Sequence, residues 1–430
     1  MSTAVKSEHD IKSKAREVLP AGTFGNIPAE LIIARGQGSH VWDDQGNEYI
    51  DYLIGSGPML IGHAHPEVNA AVQAQLQNGT TFFATNPQGV DLAERIIDAM
   101  PCAQKVRYAS SGSEADAFAM RLVRAHTGRE KILKFEGGYH GYSDYGLMSL
   151  APKNPGNAME PIPDSPGIPG AIKDSVVVAP FNDADAVENL IEQHRGELAA
   201  VFMEPLQRLI PPQPGFLQAM RDLTRDNDML LVFDEVVTGF RMAYGGAQAY
   251  YGVTPDLCTL GKVIGGGFPL AAIAGSEEVM ATFDAARAAE GRFVPQVGTL
   301  SGNPVASAAG CATLDVLKRP GTYERYFETG NRLRTALQNK LDSAGLEAQV
   351  VGDAPMFDVI FAGGPILNHR DTLRGDTAKS ARLNALLKER GVLKAYSKYY
   401  ICMALTEDDV RVTISAWDEA IDALTREFSN

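Results

Sequence analysis

The runs Met229-Leu-Leu-Val-Phe-Asp-Glu235 and Thr259-Leu-Gly-Lys-Val-Ile-Gly-Gly-Gly267 decide the fold of this 430-residue chain. The first is a short apolar strand that closes on an acid, and the second places a lysine between an apolar segment and three glycines. An acid at the carboxyl end of a parallel strand is where α/β proteins form ligand sites. Taken singly, Asp234 is equally typical of a helix cap, and Gly261-Lys262 of a turn. Together they favour a reactive amine and a carboxylate in one pocket.

Short apolar segments alternate with amphipathic ones on both sides of these runs. Helices are predicted at 89–100 and 113–126, and strands at 105–109, 132–135, 176–179, 199–203, 230–233 and 271–274. Continuous apolar strands that alternate with helices predict an α/β protein with a mostly parallel sheet sandwiched by helices.

The two chain ends have a different composition. Val41–Ile50 predicts a hairpin around an Asp-Gln-Gly-Asn turn. Amphipathic helices are predicted at 323–344, 379–390 and 408–428, with strands at 356–361 and 400–404. We therefore expect an N-terminal segment (1–60) that joins the small domain, a large domain (61–310), and a C-terminal small domain of α+β type (311–430).

Composition narrows the class of protein. The net charge of −14 and the pI near 5.1 argue against nucleic acid or an anionic membrane as a partner. No segment reaches the ~20 apolar residues that span a bilayer, and the first ten residues lack the apolar core of a signal peptide. The cysteines form no CxxC pair and are expected to be reduced. A cytoplasmic protein is the expectation.

Two further motifs follow predicted strands. Ser110-Ser-Gly-Ser-Glu-Ala115 would begin a helix whose free N–H groups suit a phosphate, although such residues are also an ordinary cap. Glu136-Gly-Gly-Tyr-His-Gly141 presents an aromatic ring that suits a planar heterocycle, or a turn with a packed tyrosine. An aspartate for a pyridinium nitrogen and a lysine that forms a Schiff base are what pyridoxal phosphate chemistry requires.

A proline- and glycine-rich stretch over residues 150–170 interrupts the regular pattern. Long irregular loops of this kind are often lids over a site, and an ordinary surface excursion is the equal alternative.

In this order the motifs resemble the class III aminotransferases, pyridoxal phosphate enzymes of fold type I, and most closely the glutamate-1-semialdehyde aminomutase branch. The stretches that support the resemblance, besides the four above, are Gly62-His-Ala-His-Pro66, Glu204-Pro205, Phe233-Asp-Glu-Val-Val-Thr-Gly-Phe-Arg241 and Gly298-Thr-Leu-Ser-Gly-Asn-Pro304.

The resemblance implies a role for each matching residue. Lys262 would bind pyridoxal 5'-phosphate as a Schiff base and move the proton of the substrate, while Asp234 would hold the pyridine nitrogen. Tyr139 and Val236 would pack on the two faces of the ring. The other implied cofactor contacts are Gly112 and Ser113 at the phosphate, His140 beside the stacking tyrosine, Glu204 beside the pocket, and Gly298 and Thr299 at the phosphate of a neighbouring subunit's cofactor. The last two make a homodimer the expected active unit.

His63 and His65 have a spacing that could serve a metal on a strand. No further ligand cluster accompanies them, and a structural use is favoured, so no metal is expected.

The chain departs from the aminomutase branch where that branch binds its substrate. The stretch over residues 21–30 lacks the branch's arginine, and the loop after Pro205 is shorter. Arg208 is the nearest replacement cation for a substrate carboxylate, or else a surface arginine. By contrast, residues 163–169 match the branch's gating loop. These differences favour an intermolecular, ping-pong aminotransferase that takes an amino acid or amine donor and a keto acid or aldehyde acceptor. The alternatives are the 2,1-aminomutase and a non-catalytic cofactor-binding protein.

Overall fold

The computed structural model describes residues 8–27, 31–156 and 159–428. The strands of these residues are β1 (Ile33–Gln37), β2 (His40–Asp43), β3 (Glu48–Tyr52), β4 (Lys105–Ala109), β5 (Lys131–Phe135), β6 (Val176–Ala179), β7 (Leu198–Met203), β8 (Leu230–Glu235), β9 (Leu257–Leu260), β10 (Ala271–Gly275), β11 (Gln349–Asp353), β12 (Met356–Ile360), β13 (Val392–Lys394) and β14 (Tyr399–Tyr400). Its α-helices are α1 (Glu8–Val18), α2 (Pro66–Leu76), α3 (Pro87–Ala99), α4 (Gly112–Thr127), α5 (Ala184–Gln193), α6 (Phe216–Asp226), α7 (Gly246–Tyr251), α8 (Glu277–Met280), α9 (Pro304–Leu317), α10 (Thr322–Ser343), α11 (His369–Thr372), α12 (Thr377–Lys388) and α13 (Glu407–Phe428).

A seven-stranded sheet in the order β4-β10-β9-β8-β7-β5-β6 forms the centre of the molecule. Its strands are parallel except β10, which runs antiparallel to β9 and β4. Every residue of β6, β7, β9 and β10 is buried, because helices cover both faces. The mostly parallel α/β class predicted from the sequence is confirmed. The sequence analysis missed β9, whose apolar run is short and contains the polar Thr259.

The two chain ends meet beside this sheet. β13 pairs in parallel with β3, with Val392 opposite Ile50, so the N-terminal hairpin joins a sheet β1-β2-β3-β13. β11, β12 and β14 form a third sheet. The domain boundaries stay a prediction, but this pairing supports a small domain built from both ends.

One strand prediction was wrong. The stretch 400–404 was expected to be a strand, and only Tyr399–Tyr400 is one. The backbone N–H of Ile401 donates to Pro355 O, and that of Met403 to Leu60 O. The chain therefore leaves the third sheet at once to pack on the segment that follows β3. No helix of the described ranges is both long and apolar enough to cross a bilayer.

Candidate active site

Asp234 and Lys262 lie at the same edge of the central sheet. Asp234 is the fifth residue of β8 and pairs in register with Thr259 of β9, while Lys262 follows β9 by two residues. Asp234 is buried and Lys262 is partly buried. Burial lowers the pKa of Lys262, although the phenol of Tyr400 and the charge of Asp234 act in the opposite direction. The site therefore favours the neutral amine that a nucleophilic lysine needs.

The backbone of Lys262 is in the left-handed region, with φ of 48°. Its side chain passes Gly57, where an added Cβ would lie 3.3 Å from Lys262 Cδ and 3.3 Å from Arg241 Nη2. A residue larger than glycine at position 57 would press on the lysine. The strained backbone of Lys262 and the absence of a side chain at Gly57 together accommodate the lysine in this position.

Asp234 is held by polar partners on two sides. His140 is fully buried, and its Nδ1 lies 2.8 Å from Asp234 Oδ2. The backbone N–H of Val236 donates to Asp234 Oδ1 at 3.1 Å. The sequence placed His140 beside Tyr139 only, and the structure adds this contact with the aspartate. The ring nitrogen Nε2 of His140 has no partner among the described residues, so the Nδ1-protonated tautomer, which donates to Asp234, satisfies more of the ring.

The start of α4 forms an open anion cradle. The Ser111 hydroxyl accepts the Glu114 N–H at 3.2 Å, while the Glu114 carboxylate accepts the Ser110 N–H at 2.7 Å. Ser111 is thus the N-cap residue of α4, and the Glu114 carboxylate reaches back to the residue before it. This cap leaves Gly112 and Ser113 in the first turn, where N–H groups have no helical partner. A Cβ on Gly112 would lie 2.9 Å from Val236 Cγ1, so only glycine lets these segments approach.

Glu204 organises the residues around Tyr139. Its Oε1 accepts the Tyr139 N–H at 2.8 Å, and its Oε2 accepts the Arg208 N–H at 3.2 Å. The Arg208 guanidinium lies 5.6 Å from the centre of the Tyr139 ring. Because both carboxylate oxygens of Glu204 are engaged, this buried acid positions the tyrosine and the arginine.

A cavity of about 540 Å³ opens beside Tyr139. Loops of the large sheet line one side of it, and β12, α12 and the β13–β14 turn line the other. Among its lining residues are Tyr139, Arg208, Ile210, Val359, Phe361 and Lys398. The cavity combines an apolar wall with the cations Arg208, Lys394 and Lys398, of which Lys394 is paired with Asp358, an arrangement typical of small-molecule sites.

Lys398 is the residue that the sequence analysis missed. Only 6% of it is exposed, and within the described ranges no hydrogen bond or ion pair engages its amine. Burial, with the charge of Arg208 next in weight, lowers the pKa of Lys398 to about 7. A lysine among apolar and aromatic residues in Val392–Ile401 was the available signal. An unpaired buried cation that faces a cavity is suited to an anionic ligand.

The proline-rich stretch over residues 150–170 forms part of the cavity wall through Leu150 and Ala151. His369 Nε2 lies 3.3 Å from Pro152 O. Next along α11, Arg370 makes a two-pronged ion pair with Glu136 at 2.8 and 3.0 Å. Pro152 of this stretch therefore contacts α11, and its function as a lid stays a prediction.

Gly298 and Thr299 lie apart from this cavity. They line a second groove, together with Phe82, Phe83 and Tyr108. Apolar side chains at its rim are exposed, among them Phe83 at 69% and Val297 at 74%. Of the two signature histidines, His63 binds Asp51 at 2.7 Å, which is a structural contact.

The described residues fit pyridoxal phosphate. Three features meet at one edge of the sheet. They are the carboxylate of Asp234 with its hydrogen-bond donors, the amine of Lys262 with its lowered pKa, and the start of α4, where only glycine fits at position 112. They match in kind the ring nitrogen, the aldehyde and the phosphate of that cofactor.

Comparisons with known proteins agree with this geometry. The family model described as Aminotransferase class-III matches residues 24–392. The structure is similar to an omega-transaminase from Sphaerobacter thermophilus, with TM-score 0.91, 36% identity and 98% of each chain covered. A β-phenylalanine aminotransferase from Variovorax paradoxus follows with TM-score 0.85, 31% identity and coverage of 97% and 94%. A glutamate-1-semialdehyde aminomutase from Pseudomonas aeruginosa PAO1, in complex with PMP, has TM-score 0.85, 25% identity and coverage of 96% and 94%.

Proposed function

The chain belongs to the class III aminotransferase family, and we propose that its acceptor is a keto acid whose carboxylate binds Lys398 and Arg208. The family match over residues 24–392 makes the chain a pyridoxal phosphate-dependent aminotransferase. An amino acid or amine would supply the amino group. The acceptor, the site residues and the assembly are the parts that we propose.

The cofactor, when bound, supplies an electron sink that stabilises negative charge at the substrate carbon. Lys262 would offer its neutral amine to the cofactor aldehyde, and later accept and return the proton of the substrate carbon. Asp234 would keep the ring nitrogen protonated. Tyr139 and Val236 would confine the ring between them, while the first turn of α4 would hold the phosphate.

The single observation that supports the acceptor class is the unpaired amine of Lys398. Because Lys398 is buried, its amine is poorly hydrated. A bound anion would therefore displace little water and would gain a charge-assisted hydrogen bond. Arg208 lies close enough to influence the pKa of Lys398, and Lys398 in turn influences that of Lys262. Arg208 and Lys398 both line the cavity, and the charge of Lys398 acts on Lys262, so the proposed anion site lies near the reactive amine.

The aminomutase is the second candidate, because an aminomutase is among the similar structures. Its 25% identity compares with 36% for the omega-transaminase. The chain also lacks an arginine in residues 21–30, of which 28–30 lie outside the described residues. An enzyme that binds its substrate through Lys398 instead has a changed substrate site, which favours transfer between two molecules.

The second groove supports a homodimer. Phe83, Val297 and Leu300 expose apolar surface beside Gly298 and Thr299, and a second copy of this chain would bury it. In that assembly Gly298 and Thr299 would reach the phosphate of the partner's cofactor. We expect the dimer to reside in the cytoplasm, given the four free cysteines and the acidic charge.

The test is spectroscopic. The near-visible band of the lysine-bound cofactor should disappear when a donor is added to the purified enzyme and return with a keto acid. The donor panel should include β-amino acids, since one similar structure is a β-phenylalanine aminotransferase. Lys262→Ala should lack the band and turnover. Lys173 is exposed and does not line the cavity, so Lys173→Ala should retain both. Return of the band without any acceptor, with glutamate semialdehyde as substrate, would instead identify the aminomutase.

A further inference from the structure

A second buried carboxyl group lies against Asp234. Asp116 is on α4, one turn beyond Gly112 and Ser113, and only 2% of it is exposed. Its carboxyl group lies close enough to that of Asp234 for the charge of Asp234 to raise the pKa of Asp116. The Thr259 hydroxyl donates to Asp116 Oδ1 at 2.6 Å and lies 3.4 Å from Asp234 Oδ1. Two carboxyl groups in such contact, both shielded from water, cannot both be ionised without a large cost.

The distribution of donors decides which acid holds the proton. Asp234 receives the Val236 N–H and faces His140 Nδ1, so its negative charge is stabilised from two sides. Within the described ranges, Asp116 receives the Thr259 hydroxyl alone. Burial, followed by the charge of Asp234, raises the pKa of Asp116 well above the ordinary carboxyl value. The charge therefore resides on Asp234 and the proton on Asp116.

We propose that Asp116 is a positioning residue for the cofactor: in its protonated form it donates a hydrogen bond to Asp234 and so holds that carboxylate, charged and oriented, for the ring nitrogen. The inference rests on the role proposed above for Asp234. The proton on Asp116 leaves Asp234 as the single negative charge at this end of the ring. Lys262 and His140 are the other titratable groups that face the pair.

The position of Asp116 on α4 has a further consequence. The same helix presents Gly112 and Ser113 at its first turn, where the phosphate would bind, and Asp116 one turn later, behind the ring nitrogen. One rigid element would thus set the distance between the two polar ends of the cofactor.

The first test uses the cofactor-free protein, so that its outcome does not depend on transamination. The melting temperature is measured from pH 5 to pH 9 for wild type and Asp116→Asn. A carboxyl group with a raised folded-state pKa stabilises the fold below its unfolded pKa and loses that contribution as the pH rises toward the folded pKa. The asparagine keeps a donor and has no proton to lose. The melting temperature of Asp116→Asn minus that of wild type should therefore increase as the pH rises.

The second test measures cofactor affinity by titrating the cofactor-free protein with pyridoxal phosphate. Loss of a charge-assisted hydrogen bond in Asp116→Ala should raise the dissociation constant by about tenfold or more, and Asp116→Asn should restore it to within about threefold. Glu235→Gln is the matched control. Glu235 is an equally buried acid whose pKa burial raises, but it binds the backbone of α7 at Ala247 and Gln248 and does not face the cofactor. The Glu235→Gln variant should have the same dissociation constant for pyridoxal phosphate as wild type.

Two results would overturn the proposal: melting profiles of wild type and Asp116→Asn that stay parallel from pH 5 to pH 9, or equal dissociation constants for the alanine and asparagine variants. If Asp116→Ala does not fold, the melting profile of Asp116→Asn alone decides. A protein that shows both expected effects and yet transfers no amino group would refute the proposed function and leave Asp116 in its role.

Discussion

Replacing Lys398 with methionine should weaken the binding of keto acid substrates and at the same time stabilise the protein. Methionine has nearly the length of the lysine stem and fills the same volume without the charge. A hydrogen bond to a charged group contributes about 1.5–3 kcal/mol, so kcat/KM for a keto acid should fall by about 10- to 150-fold. An amine donor without a carboxylate should lose far less, since it has no anion to place beside the lysine.

The pH dependence gives a sharper form of the same prediction. Because the pKa of Lys398 is lowered to about 7, the lysine is charged below pH 7 and neutral above it. The KM for a keto acid should therefore rise in the wild-type enzyme as the pH rises above 7, by at most about tenfold per pH unit. Lys398→Arg keeps its charge at every working pH and should have a flat profile. Lys398→Met should have a high KM throughout.

The stability change has the opposite sign. A lysine whose folded-state pKa is depressed costs stability progressively as the pH falls from its unfolded pKa toward its folded pKa, because in that range the unfolded chain binds the proton and the folded chain resists it; below the folded pKa the cost is constant. The shift from 10.5 to about 7 sets an upper limit of roughly 5 kcal/mol on this cost below pH 7. Lys398→Met removes the cost, so its melting temperature should exceed that of wild type most clearly at pH 6, and the difference should shrink toward pH 10.

The assay is steady-state transamination of one donor against a keto acid series between pH 6 and pH 9, with melting curves of the same samples. An unchanged KM in Lys398→Met, together with an unchanged melting temperature at pH 6, would refute the argument, since Lys398 would then be neither an unpaired buried charge nor an anion site. A raised melting temperature with an unchanged KM would refute the anion site alone.

Two further substitutions probe the supports of the site. Gly57→Ala would place a Cβ 3.3 Å from Lys262 Cδ at a φ of 111°, so turnover should fall by at least about tenfold and stability by about 1–3 kcal/mol, as measured by single-turnover absorbance and chemical unfolding. Glu204→Gln would turn one of the acceptors for the Tyr139 and Arg208 N–H groups into a donor, which should raise KM more than it lowers kcat, and an unchanged KM would contradict the positioning role.

Sequence predicted best those elements whose signal is local. β6 is a continuous apolar run, β8 begins with one, and β5 is apolar except for Lys131 and Lys134; each prediction began within one residue of the observed strand. β13 and β14 depend instead on distant partners. Val392 pairs with Ile50, and the short β14 pairs with β12, so nothing within the runs themselves determines where they end.

The same distinction applies to the site. Lys262 stood out because it lies between an apolar run and three glycines that begin three residues later. The importance of Lys398 is evident only from the cavity that it lines. Asp116 did have a local signal that went unused. It lies among Ala115, Ala119 and Met120 on the buried face of α4, and an acid on an apolar helix face needs a partner.

The arrangement also separates the two tasks of the enzyme. Asp234 lies near the end of β8, while Lys262 and Tyr139 follow β9 and β5. These parallel strands belong to one sheet, so the backbone hydrogen bonds between them set the spacing of the three residues at its carboxyl edge. Lys398 reaches the cavity from the small domain, and Arg208 reaches it from an irregular turn with φ of 60°. Changes at these two cations leave the sheet edge intact. Variants of Lys398 should therefore lose activity with keto acids, while the absorbance of the bound cofactor stays that of the wild type.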